Sequence, residues 1–193
     1  MEMKMRKIRE IIEGAAYHVT SRANGQVHAF SGNLGRKIIL ITIEEAKEKY
    51  GFRLHNFCIM PNHIHILITP VNGTNLPQII QWIKTNSAKS WNCTFNKKDH
   101  LWGDRYFSRP IKDIKDYLNV NNYIDQNPVK SGLVQNPQDW RYSGAFYIAN
   151  DIRGFVDFTY LERFKYIKLL EYKSPNHQHV TDTGLRRHQI QPR

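Results

Sequence analysis

Two apolar runs in the first half of the chain set its pattern. Residues 52–60 and 63–69 are dense in Phe, Leu, Ile and Cys, and Pro61-Asn62 stands between them. Short β-prone runs punctuated by Pro-Asn predict two strands, most simply an antiparallel pair. Residues 15–22 alternate well enough for another strand, ended by the turn signal Asn24-Gly25. Residues 34–50 carry Ile38, Ile39, Ile41, Ile43 and Ala46, then a charged stretch up to Lys49, and Gly51 follows. That spacing predicts a helix closed by glycine, although its Ile-rich half also suits an extended chain. Asn75 is an N-cap candidate and Pro77 fits a first turn, so a helix is expected through Trp91 with Leu76, Ile79, Ile80 and Ile83 as its apolar stripe. Residues 105–111 read as a further strand. Asp113 opens a helix that Pro128 is expected to stop near Asn127.

The order β-α-β-β-α-β-α predicts an α+β fold on the split βαβ, ferredoxin-like plan: a central antiparallel sheet with helices packed on it. That domain is expected to span residues 1–147. Residues 148–173 read as a C-terminal helical addition, which begins to be felt from about 139. Residues 174–193 hold few large apolar side chains and read as a mobile basic tail.

Charge narrows the partner. Among 193 residues, Lys and Arg total 28 against 17 Asp and Glu, a formal net charge of +11. Such an excess favours a polyanion, nucleic acid above all. Two cysteines, Cys58 and Cys93, make neither a disulfide framework nor a zinc ribbon. No run approaches transmembrane length and the charged start lacks an apolar core, so a cytoplasmic protein is expected.

The chemistry concentrates in Asn62-His63-Ile64-His65-Ile66. On a strand, residues two apart share a face, so His63 and His65 project together while Ile64, Ile66 and Ile68 fill the other side. Neutral imidazoles side by side suit a divalent cation; two histidines satisfied within a sheet are the bland alternative. A pair rarely completes a metal site. On the helix before Pro128, Tyr123 and Asn127 are spaced i, i+4 and share one face. Gln126 is a fallback ligand and Tyr117 a rival tyrosine. His18, His28, His55 and His100 lack partners at ligand spacing and read as surface or core residues.

His-x-His on a strand followed by Tyr-x-x-x-Asn resembles the single-tyrosine HUH transposases. Asn127-Pro128-Val129-Lys130-Ser131-Gly132-Leu133-Val134 and Asp139-Trp140-Arg141-Tyr142-Ser143 resemble the REP-associated tyrosine transposases among them. So do Tyr17-His18-Val19-Thr20-Ser21-Arg22 and the stretch from Gly51 to His63. The likeness covers roughly residues 14–147. It implies that Tyr123 attacks a phosphodiester of single-stranded, hairpin-forming DNA, giving a 5′-phosphotyrosine and a 3′-hydroxyl. It also implies Mg2+ or Mn2+ as cofactor, with His63, His65 and Asn127 as ligands. Relatives include both monomers and dimers, so the oligomeric state stays open. Arg22, Lys84, Lys89, Arg105, Arg109, Lys112, Lys115 and Lys130 are candidates for the DNA path through their collective charge. Trp82, Trp91, Trp102 and Tyr106 could stack on bases, but such aromatics more often fill a core. A relaxase-like or replication-initiator nickase and a catalytically silent nucleic-acid binder remain as alternatives. Strand joining would separate the first from a transposase, and a covalent DNA adduct would separate the second.

Overall fold

The pairing of distant strands decides where the histidines end up. The structure is a computed structural model that describes Ile12 and residues 14–157 except Val27, Asn72 and Asp104. Among the described residues, four strands make one antiparallel sheet: β1 (Tyr17–Arg22), β2 (Arg53–Ile59), β3 (His63–Thr69) and β4 (Phe107–Pro110). Their order is β2-β3-β1-β4. The β2–β3 hairpin turns at Pro61-Asn62, where the Met60 amide donates to the His63 carbonyl at 2.8 Å. Its register sets Cys58 opposite His65 and Ile59 opposite Ile64. β1 lies along the other side of β3, with Thr20 opposite His65 and Arg22 opposite His63. β4 closes the edge, pairing Arg109 with His18 and Phe107 with Thr20.

Because side chains alternate, the two faces of the sheet have different fates. One face sends Val19, Phe57, Ile59, Ile64, Ile66 and Ile68 into the main core. Helices α1 (Asn33–Tyr50) and α2 (Leu76–Phe95) cover it with Ile39, Ile43, Ile79, Ile80 and Ile83. Each such side chain contributes about 1.5–3 kcal/mol when fully buried, so this face holds most of the fold's apolar stabilisation. The Ile-rich stretch is therefore helical, not extended. Trp102 is buried in this core, and Trp82, Trp91 and Tyr106 pack against it, so these four aromatics serve packing.

The opposite face carries a smaller cluster. Ala16, Cys58, Met60 and Leu67 meet Tyr117, Val120 and Ile124 of helix α3 (Ile114–Lys130). Asp113 caps α3, its side chain accepting from the Asp116 amide. The expected stop at Pro128 does not occur: α3 continues to Lys130 with Pro128 buried inside its last turn. A proline there removes one hydrogen bond near an end that is already losing partners. Closure comes instead from Gly132, at φ +67°, with the Leu133 amide donating to the Pro128 carbonyl at 2.9 Å. α2 also outruns its expected end at Trp91, reaching Phe95 before Asn96 adopts the left-handed conformation.

Beyond a short helix, α4 (Gly144–Ala149), the chain returns to the sheet. Phe155 and Val156 are buried in the main core. The Asp157 carboxylate accepts from the Leu54 amide at 2.6 Å and from Lys47 Nζ at 2.8 Å. The rest of the expected 148–173 addition, and the 174–193 tail, lie outside the described residues. Among those described, no helix is long and apolar enough to cross a membrane.

Candidate active site

Register alone assembles the site. The sheet face under α3 presents His18, Thr20 and Arg22 from β1, His63 and His65 from β3, and Phe107 and Arg109 from β4. The His63 and His65 rings meet edge to face, their centroids 4.9 Å apart. The Asn62 side-chain oxygen accepts from His63 Nδ1 at 2.6 Å. A neutral His63 so held keeps its lone pair on Nε2. His65 has His18 Nε2 and Thr20 Oγ1 each 3.1 Å from its Nδ1. Its Nε2 is buried with no protein partner. Each imidazole is thus held through Nδ1, and one Nε2 is an orphaned polar atom inside the protein.

Burial also sets the charge of these rings. Desolvation, reinforced by Arg109 and opposed by Asp116, lowers His18 from 6.5 to about 4. Desolvation and then Arg22 lower His63 to about 4. His65 falls to about 2, through desolvation first and then the nearby His63, His18 and Arg22. All three are neutral at physiological pH, which is the form that binds cations.

Helix α3 lays Tyr123 over this face. Its ring lies 5.3 Å from His65 and 5.9 Å from His18, edge-on to both, and it is 44% exposed. Tyr117, the rival, is fully buried, with its hydroxyl 3.1 Å from His55 Nδ1. His55 also meets Thr69 at 2.8 Å, so the pair is internal structure. Beside Tyr123 a cleft of about 500 Å³ is lined by His18, Thr20, Arg22, His65, Phe107 and Arg109, with Asn119 and Val120 from α3.

Asn127 sits one turn beyond Tyr123. Its amide nitrogen donates to the Tyr123 carbonyl at 2.7 Å, a bond that does not involve the amide oxygen. Among the described residues, no group of three or more His, Cys, Asp or Glu side chains is placed to hold a metal ion. Gln126 is half-buried on the same turn.

Of the candidate cations, Arg22 and Arg109 line the cleft, and Lys130 Nζ lies 5.8 Å from the Tyr123 ring centre. Arg109 is bidentate to Asp116, at 2.7 and 2.8 Å. Lys84 and Lys89 belong to α2, across the sheet from α3, and Lys84 donates to the Gly103 carbonyl. Arg105 and Lys112 are exposed and are not among the cleft's lining residues. His18 and Phe107 are what the sequence did not single out. The signal for His18 was present only as a β1 residue of matching parity, and it becomes readable once the β1–β3 register is known.

The site is thus a four-stranded α+β sheet with neutral imidazoles beneath an exposed helix tyrosine. The chain belongs to the IS200-like transposase family, whose model matches residues 12–127. An Escherichia coli relative, a REP-associated tyrosine transposase, is 27% identical over 101 residues, covering 52% of this chain and 59% of that protein. A Haemophilus influenzae relative, named provisionally for the same group, is 37% identical over 106 residues, 50% of this chain and 60% of its own. The chain thus spans about 60% of the length of the curated relatives it matches. A solved structure of a REP-associated tyrosine transposase bound to a REP hairpin shares the fold, with a TM-score of 0.64 at 21% identity. That likeness covers 97% of this chain and 99% of the other.

Proposed function

We propose that this chain cleaves and rejoins single-stranded DNA beside hairpin-forming repeats through a covalent bond to Tyr123. The observation that carries the reading is the exposed Tyr123 ring over the His63–His65 face, while Tyr117 is sealed in the core. The Tyr123 oxygen attacks the scissile phosphorus. A tyrosyl O–P bond forms, the P–O3′ bond breaks, and the phenolic proton passes to solvent as the leaving 3′ oxygen gains one. The product is a 5′-phosphotyrosine, and a later 3′-hydroxyl reverses the exchange. One phosphoester replaces another, so no nucleoside triphosphate is consumed.

Arg22 and Arg109 in the cleft suit phosphate oxygens. His63, His65 and the Asn127 amide oxygen would hold a divalent cation, Mg2+ or Mn2+, whose contribution when bound is polarisation of the phosphate. The orphaned His65 Nε2 supports that assignment, and two imidazoles favour Mn2+ by ligand preference. Hairpin DNA is taken as partner from the likeness to the hairpin-bound structure. A cytoplasmic location suits a protein that acts on chromosomal DNA.

Incubation with single-stranded hairpin DNA and Mn2+, followed by a denaturing gel, tests the reading. A covalent adduct is expected from the wild type and none from Tyr123→Phe, which still binds the DNA. Mass spectrometry should place nucleotide on the peptide carrying Tyr123. An undiminished adduct in Tyr123→Phe would overturn the mechanism. Joined strands from the wild type distinguish a transposase from a nickase.

A further inference from the structure

His18 lines the cleft beside Tyr123, yet the proposed ligand set leaves it out. Its Nε2 lies 3.1 Å from His65 Nδ1, and the two rings are stacked, 5.2 Å between centroids and 24° between planes. His18 is 7% exposed and His65 3%, so neither hydrogen-bonding edge of His65 is shared freely with water. Thr20 Oγ1 stands at the same distance from the same nitrogen.

A neutral imidazole has one N–H and one lone pair. If His65 carried its proton on Nε2, that donor would be buried with nothing to receive it, a rarer condition in folded proteins than a buried acceptor left unpaired. If the proton is on Nδ1, it has His18 Nε2 and Thr20 Oγ1 as acceptors, and Nε2 keeps its lone pair for a cation. His63 shows the same arrangement, its Nδ1 held by the Asn62 oxygen. Metal-binding histidines generally donate their second ring N–H to such an acceptor, which fixes both tautomer and ring orientation.

We propose that His18 is a positioning residue: its Nε2 accepts the Nδ1–H of His65 and so holds the His65 Nε2 lone pair ready for the divalent cation. This rests on the reading that His65 binds a cation. It requires His18 itself to carry its proton on Nδ1. No bond beyond this hydrogen bond forms or breaks, and His18 need not touch DNA.

Two measurements test it, neither of them an activity. Long-range 1H–15N NMR of the metal-free protein at neutral pH should show His65 protonated on Nδ1 and His18 on Nδ1; protonation of His65 on Nε2 would overturn the proposal. Titration calorimetry with Mn2+ should show affinity reduced about tenfold or more in His18→Ala. Most of that loss should be recovered in His18→Gln, whose amide oxygen can accept the same hydrogen. Wild-type affinity in His18→Ala would overturn the proposal as well. Should His18→Ala fail to fold, the NMR tautomers of the wild type still decide. Undiminished Mn2+ affinity in His65→Ala would remove the cation reading itself, and the metal-free tautomer measurement keeps that failure distinct.

Discussion

Acidification in the presence of chelator should destabilise this protein through its own site. In the unfolded chain the imidazoles of His18 and His65 titrate near 6.5; in the fold they are lowered to about 4 and about 2. Below 6.5 the unfolded state therefore binds more protons than the folded one, and stability rises with pH across that interval. Above about pH 7 both states hold neutral rings and stability is level. At pH 5 the unfolded rings are charged and the folded ones are not. Each ring then costs about 1.36 kcal/mol for each of 1.5 pH units, roughly 2 kcal/mol, or about 4 kcal/mol for the two. His63 adds in the same direction but is more exposed, so its share is smaller. Such a loss is a large part of the roughly 5–15 kcal/mol that holds an ordinary domain together. Urea denaturation at pH 8 and pH 5 would register it as a midpoint lower by roughly 2 M, for an m of about 2 kcal/mol per M. His18→Gln removes one titrating ring and should about halve the difference. A midpoint that stays level between the two pH values, or an unaltered slope in His18→Gln, would refute the reasoning.

Other expectations follow from single contacts. Tyr117→Phe deletes the buried hydrogen bond to His55 and should cost about 1–3 kcal/mol in urea denaturation, while the DNA adduct still forms. Loss of the adduct at unchanged stability would put Tyr117 in the chemistry after all. Phe107 is 58% exposed where it lines the cleft. Phe107→Ala should weaken single-stranded DNA binding by about 1–3 kcal/mol, the worth of one stacked base, with no change in Tm; equal affinity by fluorescence anisotropy would count against stacking there. At Gly144, an added Cβ would run into the Asn56 side-chain oxygen, which already accepts from the Phe57 amide. Gly144→Ala should therefore lose about 1–3 kcal/mol through overpacking, and a neutral result would mean that α4 shifts freely.

How far the sequence could be read depended on the range of each signal. The hairpin at Pro61-Asn62 is local, so period-two alternation places His63 and His65 together without knowledge of any other strand. The caps at Asn75, Asp113 and Gly51 are local too, and they sit where expected. His18 was illegible because its meaning lies in the register between β1 and β3, some 47 residues apart. Nothing in Tyr17-His18-Val19 tells a satisfied core histidine from one that meets a second ring. Pro128 misled for a different reason. The rule against proline in helices concerns interior turns, and this one falls in the last turn, before Gly132 supplies the reversal. The separation of Tyr123 from Tyr117 follows from helical angle, but the burial of Tyr117 against His55 is a contact between residues 62 apart, beyond the reach of any local pattern.

The return of the chain to the sheet at Phe155, Val156 and Asp157 sets a limit on how far this protein can be shortened. The family model stops at residue 127, and a fragment cut there would keep Tyr123, both strand histidines and Asn127. It would also strip Phe155 and Val156 from the main core, and leave Lys47 and the Leu54 amide without the carboxylate that joins them. Packing thus carries the folded unit at least about thirty residues beyond the boundary that sequence matching draws. Deletion libraries, split-protein halves and fusion junctions should accordingly leave every residue up to Asp157 in place.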